Sequence, residues 1–581
     1  MTLPPELVVV AHADARLRMN GARVRSAADG AAELEKALAE TGTELTPMFG
    51  PDEEHILAAR RASAWDLPDL SVYYHAAVTG DHHAVAARLA EVPAVAGAFV
   101  KPPPAIDART TPGLASPAAS PAAATADLTG HQGYLLNAPG GIGANSVRAQ
   151  PGGTGGGIQL INVGGAWRLT HEDLAGNVGG VVGGQPIDAV SFRNHGTAVL
   201  GVVRATQNAF GMTGIAPGCL VNQVATFGLG TAAAIRLAAD TLQQRGGIIL
   251  IEWQRPGPAA TGVGSAGFLP LEWWPDDFAA IAYATGKGMI VIEPAGNGSV
   301  SLDDPLYNTP APGFPVTWRN PFNRANADCG AILVGAGAPP PGANSTVPDR
   351  SRLPFSNTGA SIDVQGWGAG IATLGYGDLQ GGDSEDVWYT ATFGGTSGAA
   401  AMVAGVVATL QGLQLARAKN PPLTPGDVRG LLRQTGSPQQ DGPDGPAADH
   451  PIGSRPDLVA LVGHLAPGKD ESKDHKDGKD EGKDSKDNKD ENKDTKDGTH
   501  KDLHDKAPID DRVRPGIPLG PGTSAAFIEP RRSAEQVRHF IAAELRPTMS
   551  AAALLHEPDL RGRDAAELAD ELRPQNAAPV V

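Results

Sequence analysis

Cysteine is nearly absent: 581 residues contain two, Cys219 and Cys329. No disulfide framework can be built from one pair, and two buried thiols are the simpler expectation. Positive charge is in deficit, with 47 Lys and Arg against 64 Asp and Glu, a formal net charge of −17. Phosphate backbones and anionic membrane surfaces are disfavoured partners for such a chain. Residues 1–20 carry neither a basic start nor a long apolar run. They do not read as a secretory signal, and no stretch reads as long enough to span a bilayer. The expectation is a cytoplasmic protein, or one exported by another route, that binds neither nucleic acid nor membrane.

What is present suffices for a large core. Hydrophobic residues make up 41% of the chain, and 74 Gly with 49 Pro imply many turns. The length calls for more than one domain. Residues 7–10 read as a strand, 31–39 as a helix, 70–78 as a strand and 95–100 as a returning strand. Asp81 is placed to cap a helix through Leu89, with Val85 and Leu89 on one face. Residues 1–104 therefore read as a small α/β domain. Residues 105–133, rich in Pro, Ala, Ser and Thr, read as a flexible connector.

Residues 134–466 read as a larger α/β domain. Apolar strands are expected at 157–161, 248–251, 289–292 and 331–334, with helices at 231–245 and 276–285. Helices alternating with all-apolar strands imply a doubly wound parallel sheet covered on both faces. Active sites of such sheets lie at the carboxyl ends of the strands. Asn162, Glu252 and Asn297 are expected just after strands.

Three segments carry candidate chemistry. In Gly394-Gly395-Thr396-Ser397-Gly398, a serine enters a helix of small residues, where free N–H groups favour a developing anion. An acyl-transfer nucleophile needs that setting, although a tight turn feeding a core helix has the same pattern. Asn194-His195-Gly196-Thr197 places a histidine at the start of another small-residue helix, and Pro294-Ala295-Gly296-Asn297-Gly298 places an asparagine after a strand.

Together and in this order, the segments resemble subtilisin-like serine peptidases (subtilases), over roughly residues 134–465. The resemblance implies a subtilisin-like fold and a peptide or protein substrate, with no cofactor. It casts His195 as general base, Ser397 as nucleophile and Asn297 as side-chain oxyanion donor. The strand–helix–strand ending of residues 1–104 is similar to subtilase propeptides, which implies an intramolecular inhibitor. Segment 252–258 lies where subtilases carry a substrate-binding edge, but the usual Ser-Leu-Gly is Glu252-Trp253-Gln254 here. An altered, restricted cleft is expected. Phe355-Ser356-Asn357-Thr358-Gly359 is similar to a segment between the family's late strands. The family's Pro and His after the nucleophile are Ala401 and Met402, both compatible with a helix.

The triad's acid is missing from its usual place. A bacterial subset of the family reads Asp-Val-Glu-Gln-Gly-Trp at the first strand, then His-Glu-Asp-Leu. This chain reads Asn162-Val163-Gly164-Gly165-Ala166-Trp167, then His171-Glu172-Asp173-Leu174. Asn162 thus takes the aspartate position, and Gly164 replaces the second acid. Asp173 has its own counterpart in the family and reads as structural; Asp188 is a weaker substitute. A neutral Asn162 cannot stabilise the imidazolium of His195 and can favour the wrong tautomer. Two readings follow: a serine endopeptidase weakened or specialised by loss of the acid, or a pseudopeptidase that binds peptides without cutting.

Residues 467–507 repeat Lys-Asp pairs with almost no apolar residue, and read as a disordered spacer. His475, His500 and His504 lack fixed neighbouring ligands there, and no motif defines a metal site. Residues 508–581 carry two short helical patterns and read as a helical tail.

Overall fold

The computed structural model describes residues 3–465, apart from 21–22, 26–29, 51–55, 57–59, 62–66, 107–124, 177, 344 and 418–419. The Lys/Asp spacer, the helical tail and most of the connector lie outside the described residues.

The N-terminal domain runs β1 (Glu6–Ala11), α1 (Ala31–Thr41), β2 (Glu44–Pro47), β3 (Tyr73–Ala77), α2 (His82–Ala90) and β4 (Val95–Lys101). Its antiparallel sheet has the order β2-β3-β1-β4. Asp81 caps α2 as expected, accepting from the His83 and Ala84 N–H groups. Alternation along a strand sends neighbouring side chains to opposite faces. Leu7, Val9 and Ala98 pack in the domain's own core, whereas Val8, Val10 and Phe99 pack against Leu269, Trp273 and Phe314 of the larger domain. A Cβ at Gly97 would stand 2.7 Å from the Gly313 carbonyl oxygen, so only glycine allows β4 to approach this closely.

The larger domain runs β5 (Gln159–Gly164), β6 (Gly180–Gly183), α3 (Val190–Arg204), β7 (Leu220–Ala225), α4 (Thr231–Thr241), β8 (Ile248–Ile251), β9 (Gln254–Pro256), β10 (Phe268–Pro270), α5 (Pro275–Gly286), β11 (Ile290–Pro294), β12 (Ile332–Gly337), β13 (Val364–Trp367), β14 (Ile371–Leu374), β15 (Tyr389–Phe393), α6 (Gly395–Ala416) and α7 (Pro425–Gln434). Seven of these strands make an all-parallel sheet, β13-β12-β11-β8-β5-β7-β6. Leu160, Leu250, Ile292 and Val334 face α3 and α6, while Ile161, Ile249, Ile251 and Val291 face α4 and α5. This is the doubly wound parallel sheet expected from the apolar runs.

Several boundaries differ. Helix α4 stops at Thr241, four residues short, because Leu242 turns extended and buries its side chain among Ile235, Ile249 and Met289. Strand β5 runs to Gly164, so Asn162 lies within it and not at its end. The connector is docked at both described ends: Ala105 bridges Gln254, and Leu128 N–H donates to Gly211 O at 2.8 Å. The expectation that no stretch could span a bilayer also needs correction. Helix α6, 22 residues long with mean hydropathy 1.6, is long and apolar enough, but 89% of its apolar window is buried inside the protein. It is the core helix of the domain. Cys219 and Cys329 are free and buried, as expected.

Candidate active site

Ser397 lies in the first turn of α6, which enters from β15 through Gly394 and Gly395. His195 lies one turn and a half into the neighbouring α3, wholly buried, with its ring 5.7 Å from that of Phe393. Its Nε2 has no hydrogen-bond partner among the described residues. Asn297 follows β11. Its Oδ1 accepts from the Thr396 N–H at 2.9 Å and the Thr396 hydroxyl at 3.0 Å. With the oxygen fixed on the residue before Ser397, the amide NH₂ is the end left to donate.

Asn162 is not brought to His195. Its Oδ1 accepts from Trp167 Nε1 at 2.6 Å, and its Nδ2 donates to Leu250 O at 3.4 Å. The acid on His195 is Glu252, whose Oε2 lies 2.9 Å from Nδ1 with both side chains buried. Glu252 is the first residue after β8, and its N–H donates to Val163 O at 3.1 Å. Sheet order explains the encounter. Strands β5 and β8 are adjacent and parallel, with Leu250 opposite Asn162 and Ile251 opposite Val163. The next step in that register sets Glu252 beside Gly164. A Cβ at Gly164 would stand 2.9 Å from both Cδ and Oε2 of Glu252 and 3.0 Å from Oε1. The glycine is the space in which the carboxylate sits.

The other candidate acids are engaged elsewhere. Asp173 accepts from the Met212 N–H at 2.8 Å, Asn208 Nδ2 at 2.9 Å and the Tyr389 hydroxyl at 3.1 Å. It pins loops together, and burial pushes its pKa up to about 6. Asp188 is exposed and pairs with Arg193 at 2.5 Å. His171 bonds the Trp388 carbonyl oxygen through Nε2 at 2.8 Å.

Strand β9 forms the edge beside these groups. Gln254 Oε1 accepts from the Asn297 N–H at 2.7 Å, and its Nε2 is buried without a partner among the described residues. The side chain thus fills space beside Asn297. On the other side of β9, Ala105 N–H donates to Gln254 O at 2.8 Å, and Gln254 N–H donates to Ala105 O at 3.2 Å. The chain leaving the N-terminal domain is therefore held on this edge by an antiparallel bridge at Ala105.

Sequence reasoning missed the pairing of Glu252 with His195. An acid directly after an all-apolar strand, in register with a glycine on the neighbouring strand, was the available signal.

Residues 169–454 match the sequence profile of the subtilase family. The chain is 26% identical over 276 residues to M-protease of Shouchella clausii (strain KSM-K16), covering 46% of this chain and 56% of that protein, so it spans little more than half of that relative's length. It is 26% identical over 273 residues to subtilisin BL of Lederbergia lenta, covering 46% and 78%. Among solved structures it is similar to fervidolysin from Fervidobacterium pennivorans, described as a keratinolytic enzyme related to subtilisin, with 19% identity, TM-score 0.46, and coverage of 80% and 62%. The profile match begins at residue 169, so Asn162 and Gly164 fall outside it.

Proposed function

We propose, from the match of residues 169–454 to the subtilase profile, that the chain is a serine endopeptidase whose triad acid is Glu252, supplied by the strand next to the usual one. The observation that carries this reading is the buried Glu252–His195 contact at 2.9 Å, with Nε2 unpartnered among the described residues.

The chemistry follows from the groups in place. Glu252 holds the proton of His195 on Nδ1, which leaves the Nε2 lone pair to take the Ser397 hydroxyl proton. Ser397 Oγ attacks the peptide carbonyl, and the imidazolium that forms is stabilised by the Glu252 charge. Asn297 Nδ2 and the Ser397 N–H donate to the oxyanion. Collapse expels the amine, which takes its proton from Nε2. Water then attacks the acyl-enzyme with His195 again as base. The binding-only reading rested on the lack of an acid. Glu252 supplies one, so no observation now favours that reading over hydrolysis.

The N-terminal domain is proposed to inhibit in cis, since its exit segment occupies the β9 edge through both Ala105–Gln254 hydrogen bonds. Labelling with a fluorophosphonate tests both ideas. The intact chain should label at Ser397 slowly, and Ser397→Ala not at all. Ala105→Pro removes the N–H that Gln254 O accepts and should speed labelling about fivefold, by loss of roughly 1 kcal/mol of hydrogen bonding. Absence of labelling in both chains would sink the enzyme reading. Equal rates in the two would sink the inhibitory contact.

A further inference from the structure

Upstream of Ala105 the same segment places a charge deep in the larger domain. Lys101, the last residue of β4, is wholly buried. Its Nζ lies 2.6 Å from Asp276, 2.8 Å from Asp277 and 3.2 Å from Thr231 Oγ1. Thr231 begins α4, and the two aspartates lie in the first turn of α5, so all three belong to the larger domain. Thr231 also donates to Asp277 Oδ1 at 2.6 Å. Arg255, on the β9 edge itself, donates to the Pro102 carbonyl oxygen and to Glu6 at 2.6 Å.

Charge balance shows whose pocket this is. Lys101 and Glu6 come from the N-terminal domain, 3.9 Å apart, and leave together as a neutral pair. The larger domain then keeps Asp276, Asp277 and Arg255: two carboxylates against one guanidinium. Both aspartates are fully buried in the closed chain, and Asp276 Oδ1 has no hydrogen-bond partner among the described residues. A buried carboxylate without a counter-charge is costly, so a segment that refills the pocket and buries these aspartates again must bring a cation. An ammonium uses one oxygen of Asp276 and leaves the other idle. A guanidinium fork would use both.

We propose that Asp276 and Asp277 form a subsite for a lysine or arginine side chain of an extended peptide, four residues upstream of the residue that pairs with Gln254. This rests on the reading of the β9 edge as the substrate cleft. Lys101 is the intramolecular occupant of the subsite, and substrates with a basic residue at the same remove compete for it.

The test separates binding from cleavage. In the full chain carrying Ser397→Ala and Lys101→Glu, the segment's own cation is replaced by a charge the aspartates repel. Lys101→Met, which keeps an apolar stem, is the companion should the first variant fold poorly. A fluorescein-labelled peptide of residues 97–106 is titrated by anisotropy, beside its analogue with norleucine for lysine. The lysine peptide should bind at least about tenfold more tightly, as expected for a desolvated charge pair, and Asp276→Asn with Asp277→Asn should erase the difference. Equal affinities, or no binding of the lysine peptide, would overturn the subsite. The chain with Ser397 intact is then given a peptide library, and Lys or Arg should be enriched at one fixed position upstream of the cut. Discrimination in binding without any cleavage would refute the peptidase reading and leave the subsite standing. Cleavage with no basic enrichment would overturn the subsite alone.

Discussion

Replacing Glu252 by Gln is expected to lower kcat for peptide hydrolysis about 10⁴-fold, the loss seen when the triad carboxylate of an unrelated serine protease becomes an amide. The amide would keep the volume and lose the charge. Its NH₂ can donate to Nδ1 of His195, which would move the ring proton to Nε2 and leave no base for Ser397. Even in the other orientation the imidazolium has no counter-charge. The interaction strengthens in the transition state, so KM should change little. Steady-state hydrolysis of a peptide substrate, with a melting curve to show that the variant folds, measures this. Asn162→Asp is the decisive companion. With the sequence alone in view, that substitution should restore a lost acid and raise turnover. With Glu252 already on His195 and Asn162 held by Trp167, it should bring no gain. A large gain from Asn162→Asp, together with an unaffected Glu252→Gln, would return the acid's role to position 162.

Gly164→Ala should cost about 10²- to 10³-fold in kcat without touching any group that contacts substrate, because a displacement near 1 Å at a catalytic group is worth about 10²-fold. The added Cβ would fall 2.9–3.0 Å from three atoms of the Glu252 carboxyl group, tighter than carbon and oxygen allow. The carboxylate must move, and in moving it leaves Nδ1 of His195. Backbone strain is not the cause, since Gly164 is not among the residues with positive φ. Kinetics of Gly164→Ala alone and combined with Glu252→Gln give the check. If the glycine acts only by making room for the acid, the double variant should be no slower than Glu252→Gln. Additive losses would mean that Gly164 serves some other purpose.

Much of the fold was legible because it rests on local pattern. The residues of β8, Ile248–Ile251, are apolar at every position, which only a strand buried on both faces tolerates. The small residues after Ser397 announced a helix packed on all sides. His195, Ser397 and Asn297 each sit in a short segment whose neighbours are fixed by sequence. Glu252 was not legible as their partner. Its contact with His195 joins residues 57 apart and depends on β8 lying next to β5, a fact of sheet order. The end of β5 was placed too early for a related reason. Gly164 and Gly165 look like a turn, whereas Gly164 continues the strand to make room for its neighbour.

Helix α6 has a consequence for how the chain reaches this state. It fills the space between α3 and one face of the parallel sheet, and 20 of its 22 residues are buried. A ribosome delivers it only after residue 394. Until then Leu160, Leu250, Ile292 and Val334 have only α3 of their two covering helices, and that side of the sheet stays partly open to water or to other chains. The opposite side is different: α4 and α5 are made early, and the N-terminal domain is finished before either. The larger domain should therefore complete its two layers at separate times, with the layer that holds Ser397 the later one. Folding of that kind is dominated by distant contacts and is slow and prone to aggregation while it waits. Ser397 enters the structure with this helix, so the proposed hydrolytic centre cannot exist before the space between α3 and the sheet is filled.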